Sequence, residues 1–308
     1  MSERHAALTD PRTYNSRLQR LGLLENPFLN YPDNRYFSPF IEQRLVSQDI
    51  LTAIAEKPTR NIGVFISDHL TGISALCQRV AGTVAVNKSL NAYSQHFTDI
   101  GGIVTPGKMV KQICADLGIE ASTQKGRMEA LHQRLLSDMH KHGTSLFIAM
   151  DGNMTEEALY TIREMANWVS EDRPVRSLVQ FALFGTKSAV FYNEFNVPSL
   201  FPTTYSVRTM GLPSVQELTT LLEEQARRAG RVPTLFTEDA TEILVERSGR
   251  IVGKLLLLAS RSLDRLIQTN ETVISEQMAL DAVLDRTLPE ETEPEIDETV
   301  RNLLENEE

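Results

Sequence analysis

The sequence predicts an α/β fold: a parallel sheet with helices on both faces, followed by a small all-helical unit. Three observations carry this expectation. Short apolar runs at 61–67, 144–150 and 177–184 are separated by amphipathic helical stretches, as strands joined by helical crossovers are. The runs are apolar throughout rather than alternating, which suits strands covered on both faces. After residue 212 the strand signal stops and four helical segments follow one another.

The elements follow in order. Residues 1–40 are rich in Pro, Asn, Tyr and Arg and are expected to form an N-terminal strap; within them LGLLENPFLNYPDNRYFSPF (21–40) has too many breakers for a long helix and reads as an ordered, aromatic-rich loop. Its aromatics Tyr31, Tyr36, Phe37 and Phe40 leave open a docking surface or a strap packed onto the core. A helix is expected over 41–56, a buried strand over 61–67 (NIGVFIS), then a turn and a helix over 73–81. Helices follow over 106–117, stopped by Gly118, and over 122–142, stopped by Gly143. The next strand (TSLFIAM) ends at Asp151. Thr155 caps the helix after it, with Glu156 and Glu157 at the positive end of the dipole. A third strand (SLVQFALF) runs into Gly185, and a fourth is expected over 204–209. The helical unit comprises 214–230, 237–248, 255–269 and 275–286. The expected organisation is a strap (1–40), an α/β core (41–212), a helical lid (213–286) and an acidic tail (287–308), without internal repeats.

Composition removes several classes of function. With 308 residues, 41% of them hydrophobic, the chain can bury one large core or two modest ones. No apolar run approaches the ~18 residues of a membrane helix, and MSERHAALTD lacks a secretory h-region. Two cysteines, Cys77 and Cys114, argue against a disulfide scaffold and for a reducing compartment, so the expectation is a cytoplasmic protein with no membrane span. Neither cysteine has a Cys or His at ligand spacing, and no metal site is expected.

The net charge of −10 is unevenly placed: residues 285–308 hold ten acids and two arginines, and the other 284 residues hold 31 acids against 29 bases. Nucleic-acid binding needs concentrated positive charge. The body has no basic block, so nucleic acid is not an expected partner. The tail reads as a disordered acidic extension. Within it Ile296, Val300, Leu303 and Leu304 stand at helical spacing, which leaves open a solubilising tail or a short partner-binding helix.

Chemistry is sought first between the first strand and its helix, where a phosphate-binding loop G-x-x-x-x-G-K-[ST] would lie. The segment reads SDHLTGIS, in register with that motif: Gly72 takes the second glycine and Ser74 the Mg-binding hydroxyl. Ser67 replaces the first glycine and Ile73 replaces the lysine, removing the cation that would meet the β and γ phosphates. His69, in the same loop, leaves open a ligand contact or an exposed loop histidine, and His96, His140 and His142 read as surface histidines without a third partner. Cys77 reads as a small buried apolar residue, Trp168 as core, and no G-x-S-x-G elbow is present.

The layout resembles the ExeA/GspA family of AAA+ ATPases, known from type II secretion and related to pilus and to TniB/TnsC-like transposition ATPases. LGLLENPFLNYPDNRYF (21–37) is similar to that family's opening motif, and SLFIAMDGNMTEEALYTIREMANW (145–168) to its Walker B strand and helix. LVQFALFGTKSAV (178–190) is similar to its sensor strand. LPSVQELTTLLEEQARRAG (212–230) with LFTEDATEILVERSGRIVGKLLLLASRSL (235–263) is similar to its lid. The likeness spans about 21–284 and implies an AAA+-like P-loop core followed by a small all-helical lid.

The resemblance also implies what is missing. In working relatives Walker B ends in Asp-Glu, where Asp holds Mg²⁺ through water and Glu orients the attacking water. Here Asp151 is followed by Gly152. The family's lid arginine, which senses the γ-phosphate, aligns near Gly253, between Arg250 and Lys254. The stretch before the fourth strand, which offers an arginine finger to the next subunit, reads SLFPTT (199–204) and holds no base. Loss of such a finger alone costs about 10³ to 10⁵ in rate. The expectation is a catalytically inactive AAA+-like assembly or adaptor protein that binds protein partners as a homo- or hetero-oligomer. A paralogous active ATPase, or secretion or pilus machinery, would be the partner. The degenerate nucleotide site comprises Ser67, Gly72, Ile73, Ser74, Asp151, Gly152 and Gly253, with no cofactor expected and residual ATP/Mg binding left open. An ATP-binding switch with unorthodox hydrolysis and a DNA-transposition regulator are the alternatives.

Overall fold

The computed structural model describes residues 11–28, 40–67, 72–98, 103–152, 154–172, 174–186, 203–230 and 234–284. Five strands form one sheet: β1 (Ile62–Ile66), β2 (Ala92–Thr98), β3 (Ser145–Asp151), β4 (Val179–Gly185) and β5 (Thr204–Thr209). They pair in the order β2-β3-β4-β1-β5, every pair parallel.

Every residue of β1, β3 and β4 is buried, as the uninterrupted apolar runs require. Successive side chains divide between two cores by the period of two. Ile62, Val64 and Ile66 of β1, with Leu146, Ile148 and Met150 of β3, join the core on one face. Three helices cover that face: α4 (Pro106–Asp116), α5 (Gln124–His142) and α6 (Glu156–Ala166). Phe65, Phe147 and Phe184 join the other core, beneath α2 (Ile41–Glu56) and α3 (Ile73–Val86). The expected caps form: Thr155 Oγ1 accepts from Ala158 N at 3.2 Å, and Gly143 ends α5 in the left-handed conformation.

A third core belongs to the helical lid, α7 (Val215–Arg228), α8 (Glu238–Arg247), α9 (Val252–Gln268) and α10 (Glu276–Leu284). Leu212 and Pro213 lie in the connection from β5 to α7.

The structure corrects the sequence reading in three places. The strap region contains a helix that the sequence reading did not name, α1 (Pro11–Arg20). It packs on the lid rather than on the α/β core: Leu18, Leu23 and Phe28 enter the lid's cluster, and Tyr14 Oη donates to Asp264 Oδ1 at 2.9 Å. Tyr31, Tyr36 and Phe37 lie outside the described residues, and Phe40 packs against the same lid cluster. Strand β2 was not expected, because AYSQHFT is a half-buried edge strand in which only Phe97 is fully covered. The helix opening at Ile73 runs on to Val86, beyond the expected end at residue 81. Among the described residues no helix is long and apolar enough to cross a membrane.

Candidate functional site

In open parallel sheets, ligands lie outside the carboxyl ends of the strands. Here that edge collects most of the residues singled out in the sequence. Ser67, directly after β1, is 1% exposed and its amide donates to Gly185 O at 3.0 Å, while Met210 N donates to Ile66 O at 2.7 Å. The end of β1 is thus held between the ends of β4 and β5. Residues 68–71, including His69, lie outside the described residues. Gly72 opens α3 with φ +84°, a conformation suited to glycine, and its carbonyl accepts from Leu76 N at 3.0 Å.

Ile73, at the lysine position, is 8% exposed and belongs to the core beneath α2 and α3. Ser74 in the next position is exposed. Asp151 ends β3 and is 8% exposed; its register partner is Phe184 of β4, in turn one residue from the partner of Ile66. Two strand spacings therefore separate Asp151 from β1, about 10 Å. Gly152 has φ +97° and donates its amide to Phe184 O at 3.3 Å. It brings no side chain to the end of β3.

Asp151 also colours its surroundings. Burial pushes the Cys77 thiol well up, and the Asp151 charge adds to the effect, so Cys77 is protonated and unreactive. Burial lowers the His96 pKa against the opposing pull of Asp151, and His96 Nε2 has no hydrogen-bond partner among the described residues.

From the lid, Gly253 is buried in the first turn of α9 and does not line the cleft. The lid base that reaches the junction is Arg250. Its Nε donates to Pro213 O at 2.7 Å and its Nη2 to Leu212 O at 2.9 Å. Arg250 takes φ +65°, a strained conformation for an arginine, and its amide donates to Ser248 Oγ at 3.2 Å.

A cavity of about 280 Å³ lies where core and lid meet, lined among others by Phe40, Gln43, Ser67, Met210, Glu217 and Arg250. Two carboxylates at its border fasten backbone amides of remote segments. Glu42 Oε2 accepts from Gly211 N at 2.6 Å. Glu217 Oε1 accepts from Ile41 N at 2.8 Å, and its Oε2 from the amide and hydroxyl of Ser214 at 2.9 and 2.8 Å. Burial works to raise the Glu217 pKa, but the donors on Ile41 and Ser214 and the charge of Arg44 outweigh it and hold it below the ordinary carboxylate value. Sequence reasoning found Ser214 only as the start of a helix and did not single out Glu217. The contacts to Ile41 and Gly211 left no signal, because one partner in each is a backbone amide.

The donor set fits a magnesium triphosphate poorly. A hydroxyl at Ser74 and a carboxylate at Asp151 remain, but Ile73 supplies no cation and is packed into the core, and Gly152 supplies no base. Glu42 and Glu217 place negative charge beside the junction cavity, where a polyanion would meet like charge. Among the described residues no group of three metal-binding side chains is present.

No protein-family model matches the chain, and no curated protein does. Solved structures do. Aeropyrum pernix ORC2, in its ADPNP-ADP complexes, is similar with a TM-score of 0.62 and 14% identity, over 85% of this chain and 71% of that one. Cdc6p of Pyrobaculum aerophilum gives 0.61 and 12%, over 82% and 68%. Aeropyrum pernix ORC1 in complex with DNA gives 0.58 and 14%, over 83% and 67%. These likenesses show the fold: an AAA+-type α/β core followed by a helical lid.

Proposed function

We propose that this chain is a non-hydrolysing AAA+-like subunit, a pseudo-ATPase that acts by assembling with other protein subunits. One observation carries the reading. The side chain in the phosphate-binding lysine position belongs to Ile73, and it is committed to the core beneath α2 and α3. A cation there would require unpacking the start of α3.

Three further features support it. Gly152 offers no carboxylate to orient water. Arg250 donates to the Leu212 and Pro213 carbonyls, Glu217 ties α7 to Ile41, and Glu42 holds Gly211 just before the lid, so the lid is anchored by the chain's own groups. The likeness of residues 21–284 to ExeA/GspA-type proteins supports a homo- or hetero-oligomer whose partner is a paralogous active ATPase or envelope-assembly machinery. The nearly neutral body speaks against a DNA-binding role.

The test uses the full-length chain with magnesium-ATP and magnesium-ADP, read by thermal shift and phosphate release. A ligand at one hundred times its Kd stabilises by about 2.7 kcal/mol. The expected result is no shift and no release. Phosphate release lost on Ser74→Ala or Asp151→Asn overturns the proposal. A shift without release replaces it with a nucleotide-binding switch, the second reading, for which the hydroxyl of Ser74 and the carboxylate of Asp151 remain. For the partner, co-purification of an ATPase-like or envelope protein with the tagged chain is expected.

A further inference from the structure

Helices α2 and α3 pack side by side and leave a groove of about 530 Å³ between them. Arg44, Gln48, Leu51 and Ala55 of α2 line it, with Arg79 and Val80 of α3 opposite. No acid is among its lining residues. The acids of α2, Glu42, Asp49 and Glu56, recur seven residues apart on another stripe, and Asp49 accepts from Arg208 Nε at 2.7 Å and Ser206 Oγ at 3.2 Å on β5. Helix α3 has no acid along its length, and Arg79 is its single charged residue. The groove therefore combines an apolar floor with two guanidinium groups; from its junction end, Arg44 also acts on Glu217 of α7.

The chain carries a segment of reciprocal composition. Residues 285–308 hold ten acids and two arginines. Within them Ile296, Val300, Leu303 and Leu304 fall at i, i+4, i+7 and i+8, with Glu295, Asp297, Glu298 and Glu305 around that stripe. We propose that the α2/α3 groove is the docking site of the chain's own acidic C-terminal segment. It seats as a short amphipathic helix, apolar stripe on Leu51 and Val80, acids toward Arg44 and Arg79. This is helix-in-groove recognition, in which spaced anchors fill an apolar trough.

The length of the connection admits the same chain as the occupant. Eleven residues separate Leu284, the last residue of α10, from Ile296. Such a connection spans up to about 36–40 Å, against a radius of gyration of about 19 Å for a globular chain of this length. A connection of this length, on the same chain, supplies an effective concentration on the order of millimolar. An isolated helix this short is marginal in water, so the docking depends on the groove and weakens when the electrostatic attraction is screened. The inference does not depend on whether nucleotide binds.

The test exploits the burial of both native cysteines. Cysteines introduced in the full chain by Val86→Cys, on an 80% exposed residue of α3, and Asn306→Cys accept spin labels selectively, and pulsed dipolar spectroscopy reads their separation. A single short, narrow distance at low salt is expected, lost in Leu303→Ser/Leu304→Ser, lost in Arg79→Glu, and lost near 1 M salt, where screening shortens to about 3 Å. The tail substitutions leave the packed body untouched, so their effect is separate from misfolding. A broad distribution at low salt, or a short distance indifferent to these substitutions, overturns the proposal. So does a short distance that disappears on dilution with unlabelled protein, which would place a second copy's tail in the groove.

Discussion

Arg250 and Pro213 are joined by a hydrogen bond of 2.7 Å from the guanidinium Nε to the carbonyl, and the second arm of the same side chain takes Leu212 O. One lid residue thus holds both carbonyls of the connection between sheet and lid, while sitting at φ +65°. The bonds and the strain act in opposite directions, which makes them separable. Arg250→Ala keeps the strain and loses the bonds; hydrogen bonds from a charged donor at this partly exposed site place the cost at about 1–2 kcal/mol. Arg250→Gly loses the same bonds and relaxes the backbone, so it is expected to be about 1 kcal/mol less destabilised than the alanine variant. Urea denaturation followed by circular dichroism measures both. Equal midpoints for the two variants would show that the left-handed conformation carries no cost here.

Gly63 in the middle of β1 is required by a close approach rather than by a turn. A Cβ there would collide with the phenol of Tyr205 on β5 and with the ring of Phe65. Gly63→Ala is expected to destabilise by about 1–3 kcal/mol, as overpacking of a well-filled core does. Burial, and then the charge of Asp49, push the Tyr205 pKa up, so the hydroxyl stays protonated. Removing it with Tyr205→Phe clears part of the collision, and the double variant should recover part of the Gly63→Ala loss. Additive losses in that double-mutant cycle would locate the conflict at Phe65 instead.

The sequence made β1, β3 and β4 legible because strands covered on both faces must be apolar throughout, and IGVFI, SLFIAM and VQFALF are nearly so. Strand β2 escaped because it closes the sheet: Ser94, Gln95 and His96 are tolerated where one side is half open. Helix α1 escaped because its stability comes from contacts some 250 residues away, including Tyr14 with Asp264 and Arg17 Nη1 with Ile267 O, rather than from an apolar stripe of its own. At the site, the substitutions Ile73 and Gly152 could be read from motif register. The ties made by Glu42, Glu217 and Arg250 could not, since each meets backbone groups 37 to 176 positions away and backbone groups leave no residue signature.

Restoring the motif should not restore a working phosphate site. Ile73 packs with the residues beneath α3, so Ile73→Lys places an ammonium group in an apolar core. The expected cost is about 2–4 kcal/mol, whereas Ile73→Val should cost only about 0.5–1.5 kcal/mol. Thermal unfolding of the two variants beside a phosphate-release assay tests this. A lysine variant as stable as the parent that hydrolyses ATP would contradict the packing argument.

His132 and Trp168 stack with ring centroids 4.7 Å apart and planes 25° from parallel, on the face of α5 beside α6. Desolvation lowers the His132 pKa from its ordinary value. The charged groups lining the same depression are Lys125, Glu129 and Glu164. A base whose folded pKa is depressed binds its proton more readily when unfolded. Its contribution to stability is therefore present above the unfolded value and declines as pH falls through the interval below it. Trp168 is the chain's only tryptophan, so its emission reports this one contact. Protonation of the stacked imidazole should change that emission with a midpoint below the usual histidine value of about 6.5. His132→Gln should abolish the titration and reduce the loss of stability between neutral and mildly acidic pH, leaving the part due to His96, whose pKa burial also lowers. A midpoint at or above the usual value would mean that Glu129 and Glu164 outweigh desolvation at this ring, and the acid-side prediction would reverse sign.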